Sequence, residues 1–256
     1  MGNSMSGDTS AVQSVDRALQ ILAIISDKGE SGVTEIATEL GVHKSTASRL
    51  MSALLEHNMV EQVSERGRFR LGLGLVRLAG QVSASQESVT GSRTITRALA
   101  TAVGETVNIA VLDGNQVLYL DQVAGNNIMS LRSWIGQVVP TYCTATGKAL
   151  VAWLEPAARK RTYPEKWVKF TANTITDAKT FENELEQVRQ QGFAAASEEI
   201  EIGLIAIAAP ICDSHGDVIA TVAVSGPAFR ITPDRIDTIA EQVMQAAHQL
   251  SGKADI

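Results

Sequence analysis

The sequence predicts an α+β protein in two parts, a winged helix-turn-helix over residues 12–73 followed by a domain built on an antiparallel sheet. Three observations carry this. A run of helix-period apolar residues, a short helix, a glycine stop and a second amphipathic helix lead into two alternating strands around a glycine, which is the order of a winged helix. Beyond residue 100 the pattern changes to strands joined by short turns, which implies antiparallel pairing. Helical segments then lie only at the margins of those strands, the arrangement of an α+β domain.

The elements follow in order. Val15, Ala18, Leu19, Leu22 and Ile25 fall at helical spacing, with Ser14 as the expected N-cap and Lys28-Gly29-Glu30-Ser31-Gly32 as the stop. Ile36, Ala37 and Leu40 mark a short helix over 34–40, ended by Gly41. A third helix is expected over 44–57, its stripe formed by Ala47, Leu50, Met51, Leu54 and Leu55. The helix-turn-helix motif so defined covers about residues 33–52. Strands are expected at 59–63 and 68–71 around Ser64-Glu65-Arg66-Gly67. Leu75, Leu78, Ala79 and Val82 then fall in helical register within a linker over 74–100. Asp113-Gly114-Asn115 is a hairpin signal between strands at 106–112 and 116–123. Further strands are expected at 128–134, 194–199, 205–211 and 218–224, and helices at 144–154, 181–191 and from Ile236 to Leu250.

Composition narrows the function. Apolar residues make up 45% and charged residues 20%, so the chain can bury a core. A net charge of −6 excludes a basic nucleic-acid coat protein but not a local basic face. Two cysteines rule out a disulfide scaffold and point to a reducing compartment, hence a cytoplasmic protein. The apolar runs are too short for a membrane span, so no membrane partner is expected. Met1-Gly2 with Ser6 fits a myristoylation pattern, but a second Met at position 5 points to an irregular start instead.

The third helix carries the chemistry. Opposite its apolar stripe stand Lys44, Ser45, Thr46, Ser48, Arg49 and Ser52. Small hydroxyls beside an arginine suit a helix that enters the major groove, where Arg donates two hydrogen bonds to a guanine edge. The bland alternative is a solvated helix face, and charge placement argues against it. Residues 1–75 carry seven basic and nine acidic groups, yet 43–54 hold Lys44 and Arg49 with no acid. The hairpin holds Arg66, Arg68 and Arg70 against Glu65 alone. Positive charge thus gathers on the two elements a winged helix presents to double-stranded DNA. One reading helix covers only a few base pairs, so an inverted-repeat operator and a homodimer are expected, with the Leu75–Val82 stripe either a dimer seam or packed within its own chain.

Several segments together resemble the IclR family of bacterial transcriptional regulators. They are Ser14-Val15-Asp16-Arg17-Ala18-Leu19, Thr34-Glu35-Ile36-Ala37, Lys44-Ser45-Thr46-Ala47-Ser48-Arg49-Leu50 and Phe69-Arg70-Leu71-Gly72. In the second half they are Ala145-Thr146-Gly147-Lys148-Ala149, Glu198-Glu199 with Gly203 and Ile207-Ala208-Ala209-Pro210, and Ser225-Gly226-Pro227. The resemblance spans about residues 12–250 and implies a GAF-like effector-binding domain over 88–256 with a curved antiparallel sheet, binding a small organic molecule and controlling a repressor or activator that sits on DNA as a homodimer or, as a dimer of dimers, a tetramer.

For the effector site, Thr144, Ala145 and Thr146 open a helix whose N–H groups and small side chains would let a carboxylate approach, the alternative being an ordinary capped helix start. The resemblance adds positions near Ala196, Ala206, Ala223 and Ser225. Relatives of the family that bind very small acids carry polar residues at the first three; alanines here imply a larger or more apolar effector, an aromatic or medium-chain catabolite. Met129, Trp134 and Tyr142 either line such a site or pack in the core.

Enzymatic readings fail on residues. Gly147-Lys148 lacks the glycine and the hydroxyl of a phosphate loop, having Tyr142 and Ala149 there. Gly72 and Gly74 are followed by Arg77 where a dinucleotide site needs glycine. Cys143 with His215 or His248 is no more than a lone cysteine beside scattered histidines, and no metal-ligand spacing occurs, so neither catalytic residues, metal nor cofactor is expected. His43 and His57 bracket the third helix, and neither needs a special role.

Overall fold

The computed structural model describes residues 6–63, 67–75, 77–79, 93–125 and 133–251. The chain divides into two compact units between Ser85 and Gln86.

In the first unit α1 (Ser6–Lys28), α2 (Val33–Glu39) and α3 (Lys44–Glu56) pack with β1 (Ser31–Gly32), β2 (Val60–Gln62) and β3 (Arg68–Leu71). The strands form a three-stranded antiparallel sheet of order β1-β3-β2. Helix α1 begins well before the expected cap at Ser14, which lies inside it. Ile21 and Ile25 of α1, Ile36 of α2, Ala47, Met51 and Leu54 of α3, Val60 and Phe69 form one core. Each large side chain buried this completely stabilises by about 1.5–3 kcal/mol. Gly41 takes a φ of 62° between α2 and α3, a left-handed turn that a glycine enters without a Cβ clash. The amide of Val42 donates to the Ala37 carbonyl at 3.0 Å, fixing the turn that sets α3 against α2. Residues 73–75 and 77–79 are helical, with Leu75 half-buried and Leu78 and Ala79 exposed; Val82, the last residue of the expected linker stripe, lies outside the described residues.

In the second unit α4 (Arg93–Val103) precedes β4 (Thr106–Asp113), β5 (Gln116–Val123) and β6 (Val138–Pro140). Then follow α5 (Ala145–Val151), α6 (Pro156–Arg161), α7 (Ala178–Gln191), β7 (Ala194–Ser197), β8 (Leu204–Cys212), β9 (Val218–Pro227) and α8 (Ile236–Ser251). The six strands make one antiparallel, curved sheet of order β6-β5-β4-β9-β8-β7, with register shifts at Ile109/Ala110 and Ile211/Cys212. Its two faces differ. Val107, Ile109, Ile205, Ile207, Ile211, Val222 and Val224 pack against Leu99 and Val103 of α4 and Ile239, Val243 and Leu250 of α8. The opposite face offers Ala196, Ala208 and Ala223 to α5 and α7, whose Phe181, Leu185 and Val188 fill the space. Large branched residues on one face and small ones on the other follow from the two-residue period of a strand.

Several elements differ from the sequence reading. Strand β7 stops at Ser197 rather than at 199, where Glu198 turns left-handed at φ 56°, and α7 begins at Ala178, ahead of the expected Phe181. Strand β6 lies at 138–140, whereas of the strand expected over 128–134 the described part, 133–134, is not extended pairing and 128–132 lies outside the described residues. Helix α5 ends at Val151 rather than near 154. Helix α6 opens on Pro156 at its first turn, a start signal that its lack of an apolar stripe hides from periodicity. Among the described residues no helix is long and apolar enough to cross a membrane.

Candidate DNA-reading face and effector cavity

Helix α3 turns Ala47, Met51 and Leu54 into the core and so presents the opposite face to solvent. Lys44, Ser45, Ser48, Arg49 and Ser52 are exposed and Thr46 is half-buried. Ser52 donates back to the Ser48 carbonyl at 3.0 Å. Among the described residues Lys44 and Arg49 have no ion-pair partner, so both charges are available to a polyanion.

The wing is different. Arg68 donates to the Glu30 carbonyl oxygen at 2.9 Å and lies 3.3 Å from the carboxylates of both Glu30 and Glu35. Glu35 also accepts from the amide of Gly32 at 3.0 Å, and that bond, before Arg68, holds its carboxyl below the usual range. Arg70 pairs with Glu61 on the neighbouring strand. Both described wing arginines are therefore tied to acids of their own unit. Arg66 lies outside the described residues.

In the second unit a cavity of about 30 Å³ is lined by Asn108, Tyr119, Trp134, Cys143, Thr144, Ala196, Glu199, Ile200, Leu204, Ala206 and Ser225. Strand register builds one wall. Ala196 stands opposite Ala206, and Ala206 opposite Ser225, so three small residues form one row across β7, β8 and β9. Asn108 of β4, paired with Ala223, donates its Nδ2 to Ser225 Oγ at 3.0 Å.

The other wall is the start of α5. Thr144 caps it, accepting from the Gly147 amide at 3.1 Å and donating to the Pro140 carbonyl at 3.2 Å. Gly147 is required there, since a Cβ would lie 2.2 Å from the Thr141 carbonyl oxygen. Cys143 is fully buried, and desolvation first, then the nearby Glu199 charge, pushes its thiol up to about 12. A thiol so held neutral is no nucleophile at ordinary pH. Trp134 closes one side, tilted against Tyr119 with ring centres 5.7 Å apart.

Beneath the cavity lies an ionic cluster. Lys148 is 1% exposed, and its Nζ donates to Glu199 Oε1 at 2.6 Å, Glu184 Oε1 at 2.9 Å and the Ala195 carbonyl at 3.1 Å. Burial raises the Glu199 carboxyl, while Lys148 pulls the other way. Glu199 Oε2 and Asn108 Oδ1 are buried and, among the described residues, have no hydrogen-bond partner.

Of the residues the sequence proposed for the effector, Thr144, Ala196, Ala206, Ser225 and Trp134 line this cavity. Ala145, Thr146 and Ala223 are buried but not in its lining, with Thr146 3.2 Å from the Tyr119 hydroxyl. Tyr142 is buried in the core beside Trp167, its hydroxyl donating to the Val168 carbonyl. Met129 lies outside the described residues. Asn108, Tyr119, Glu199, Ile200 and Leu204 line it unforeseen. One signal was legible: a lysine inside the small apolar helix Ala145–Val151 must be buried and must find an acid.

A winged helix with an unpaired basic reading face, followed by a unit that holds a partly polar cavity, defines a DNA-binding regulator with an effector domain. Residues 14–64 match the model of the IclR helix-turn-helix domain, and residues 81–252 that of the bacterial transcriptional regulator IclR C-terminal domain. The chain belongs to the IclR family of bacterial transcriptional regulators, not to enzymes. It is 32% identical to the HTH-type transcriptional regulator XynR of Escherichia coli, over 94% of this chain and 96% of that protein. It is 31% identical to the transcriptional repressor IclR of Escherichia coli, over 95% and 90%. An IclR homologue from Microbacterium hydrocarbonoxydans, solved with 4-hydroxybenzoate, shares the fold with a TM-score of 0.82 at 23% identity, over 95% of this chain and 98% of that one.

Proposed function

We propose that this regulator binds an inverted-repeat operator as a homodimer through α3, and that a small organic effector seated in the cavity of the second unit sets its operator affinity. The observation that carries the effector reading is the pair of partnerless buried oxygens, Glu199 Oε2 and Asn108 Oδ1, in the lining of the cavity. A buried polar atom left without a partner costs about 1–3 kcal/mol, a deficit that a bound molecule relieves. At about 30 Å³ the cavity has room for a water or two, so an aromatic effector requires its walls to move apart. The alanines Ala196 and Ala206 set no polar requirement of their own, which favours an effector with an apolar body. Binding of 4-hydroxybenzoate by the structural neighbour supports an aromatic acid as the class to try first.

The dimer reading rests on α1. Val12, Val15 and Leu19 are 65%, 61% and 62% exposed at helical spacing, an apolar stripe that a second copy would cover. The domain limits proposed are 12–73 for DNA binding, 74–100 for the linker and 88–256 for effector binding.

Two measurements test the proposal. A thermal-shift screen of aromatic and aliphatic acids is expected to find ligands that stabilise the wild type but not Ala206→Phe, which fills the cavity. A ligand that stabilises both equally binds elsewhere. Sedimentation of Leu19→Lys at micromolar concentration is expected to show monomer where the wild type shows dimer; an unchanged wild-type dimer in the variant removes α1 from the interface.

A further inference from the structure

We infer that Glu199 reads a hydroxyl group of the effector, its Oε2 accepting the hydroxyl hydrogen, so that the cavity selects hydroxylated molecules over their deoxy counterparts. The inference rests on the cavity being the effector site. An ammonium carries three donors, and Lys148 directs all three to Glu199 Oε1, Glu184 Oε1 and the Ala195 carbonyl. No lysine proton remains for Oε2. That oxygen is buried, partnerless and part of a residue that lines the cavity. The 2.6 Å contact with Lys148 favours the ionised carboxylate, in which both oxygens only accept.

The backbone that carries this side chain is also held from behind. Thr171 donates to the Glu198 carbonyl and Thr174 to the Glu199 carbonyl, both at 2.6 Å. Glu198 sits at φ 56°, a left-handed conformation that a non-glycine residue adopts only under such constraint, and its carboxylate accepts from the Gly203 amide at 2.7 Å. A carboxylate fixed this firmly with one oxygen unpaired is a preformed acceptor. One lysine faces two carboxylates, so the cluster repels a second anion and takes a hydrogen-bond donor near Oε2, which a hydroxyl supplies.

The experiment uses full-length protein and three matched pairs of probes: 4-hydroxybenzoate with benzoate, 4-hydroxyphenylacetate with phenylacetate, and lactate with propionate. Affinities are read by calorimetry, with circular dichroism as the check on folding. Wild type is expected to bind at least one hydroxylated probe about tenfold or more tighter than its partner. Glu199→Gln keeps an acceptor for Lys148 and turns the cavity-facing atom into a donor, so the preference for the hydroxylated probe should vanish. Glu199→Asp, which withdraws the oxygen but keeps the charge, should lose the preference too, and serves if the glutamine variant fails to fold. A wild type without preference in any pair, including one that binds none of them, overturns the inference, as does a preference that survives in folded Glu199 variants. Ala206→Phe separates the two readings. If it leaves both probes bound, the cavity is not the site and both readings fall; if it abolishes binding while the Glu199 variants keep the preference, only the role of Glu199 falls.

Discussion

Helix α3 and the cavity of the second unit both hold the polar groups proposed to act, but under opposite physical conditions. Lys44, Ser48 and Arg49 stand in water and contribute little to folding. Lys148, Glu199 and Asn108 are at least nine-tenths buried, so each must be satisfied or penalised within the fold. Function on α3 is therefore separable from stability, whereas at the cavity the two are linked. The difference teaches where a substitution acts: on the first, a binding constant changes alone; on the second, fold and ligand response change together.

The sharpest way to break this comparison is Lys148→Met. It leaves the Glu199 and Glu184 carboxylates without their cation, and removing one partner of a buried pair costs about 3–5 kcal/mol. The pH dependence has a definite sign. Burial already raises the Glu199 carboxyl in the folded state, and loss of Lys148 raises it further. The folded variant then binds a proton that the unfolded chain has released, so its stability falls as pH rises above the ordinary carboxylate range. Urea unfolding at pH 5.5 and pH 8 is expected to show the larger deficit at pH 8. A deficit independent of pH, or below about 1 kcal/mol, would mean that the cluster is solvated and that the contrast with α3 fails.

The two regions were not equally legible in the sequence. The face of α3 could be read directly because a helix with a clean apolar stripe has only one other side, and charge placement named it. The winged fold and the sheet order of neighbouring hairpins were legible for the same reason, periodicity and turn glycines. The cavity was only half legible. Ala196, Ala206 and Ser225 meet through strand register between β7, β8 and β9, and no local pattern states a register. Glu199 joins Lys148 across 51 positions of chain, a pairing that sequence spacing does not encode. The wing misled by its own clarity. Three arginines near one acid looked like a free basic patch, but Glu30, Glu35 and Glu61 come from elsewhere in the chain to meet Arg68 and Arg70.

On the exposed side, Arg49→Ala is expected to lower specific operator affinity by about 1–3 kcal/mol and to relax preference at one base position. Its unfolding free energy should stay within about 0.5 kcal/mol of wild type, as for surface changes generally. Fluorescence anisotropy on operator and on random DNA checks the first, urea titration the second. Equal loss on both DNAs would reduce Arg49 to a phosphate contact, and a large stability loss would erase the separation between binding and folding on α3.

Arg68→Ala should have the smallest effect and sharpens the comparison from within the first unit. Arg68 is 40% exposed at its side chain and shared between Glu30 and Glu35, so its pairs are worth at most about 1 kcal/mol to folding. A free wing arginine on a phosphate would lower the salt slope of binding by about one when removed. Arg68 is already neutralised by its own unit, and releasing it for DNA means giving up those contacts, so its removal should change the slope by clearly less than the removal of Lys44, which has no such partner. Salt titrations of operator binding for Lys44→Ala and Arg68→Ala decide between the two roles. Equal slopes would show that DNA wins Arg68 away from Glu30 and Glu35, and the wing would then join α3 as an exposed binding surface. A smaller slope change for Arg68, with a modest loss of stability, assigns it to holding β3 against the start of α2, which is what its hydrogen bonds to the Glu30 carbonyl and Glu35 and its ion pair with Glu30 already do.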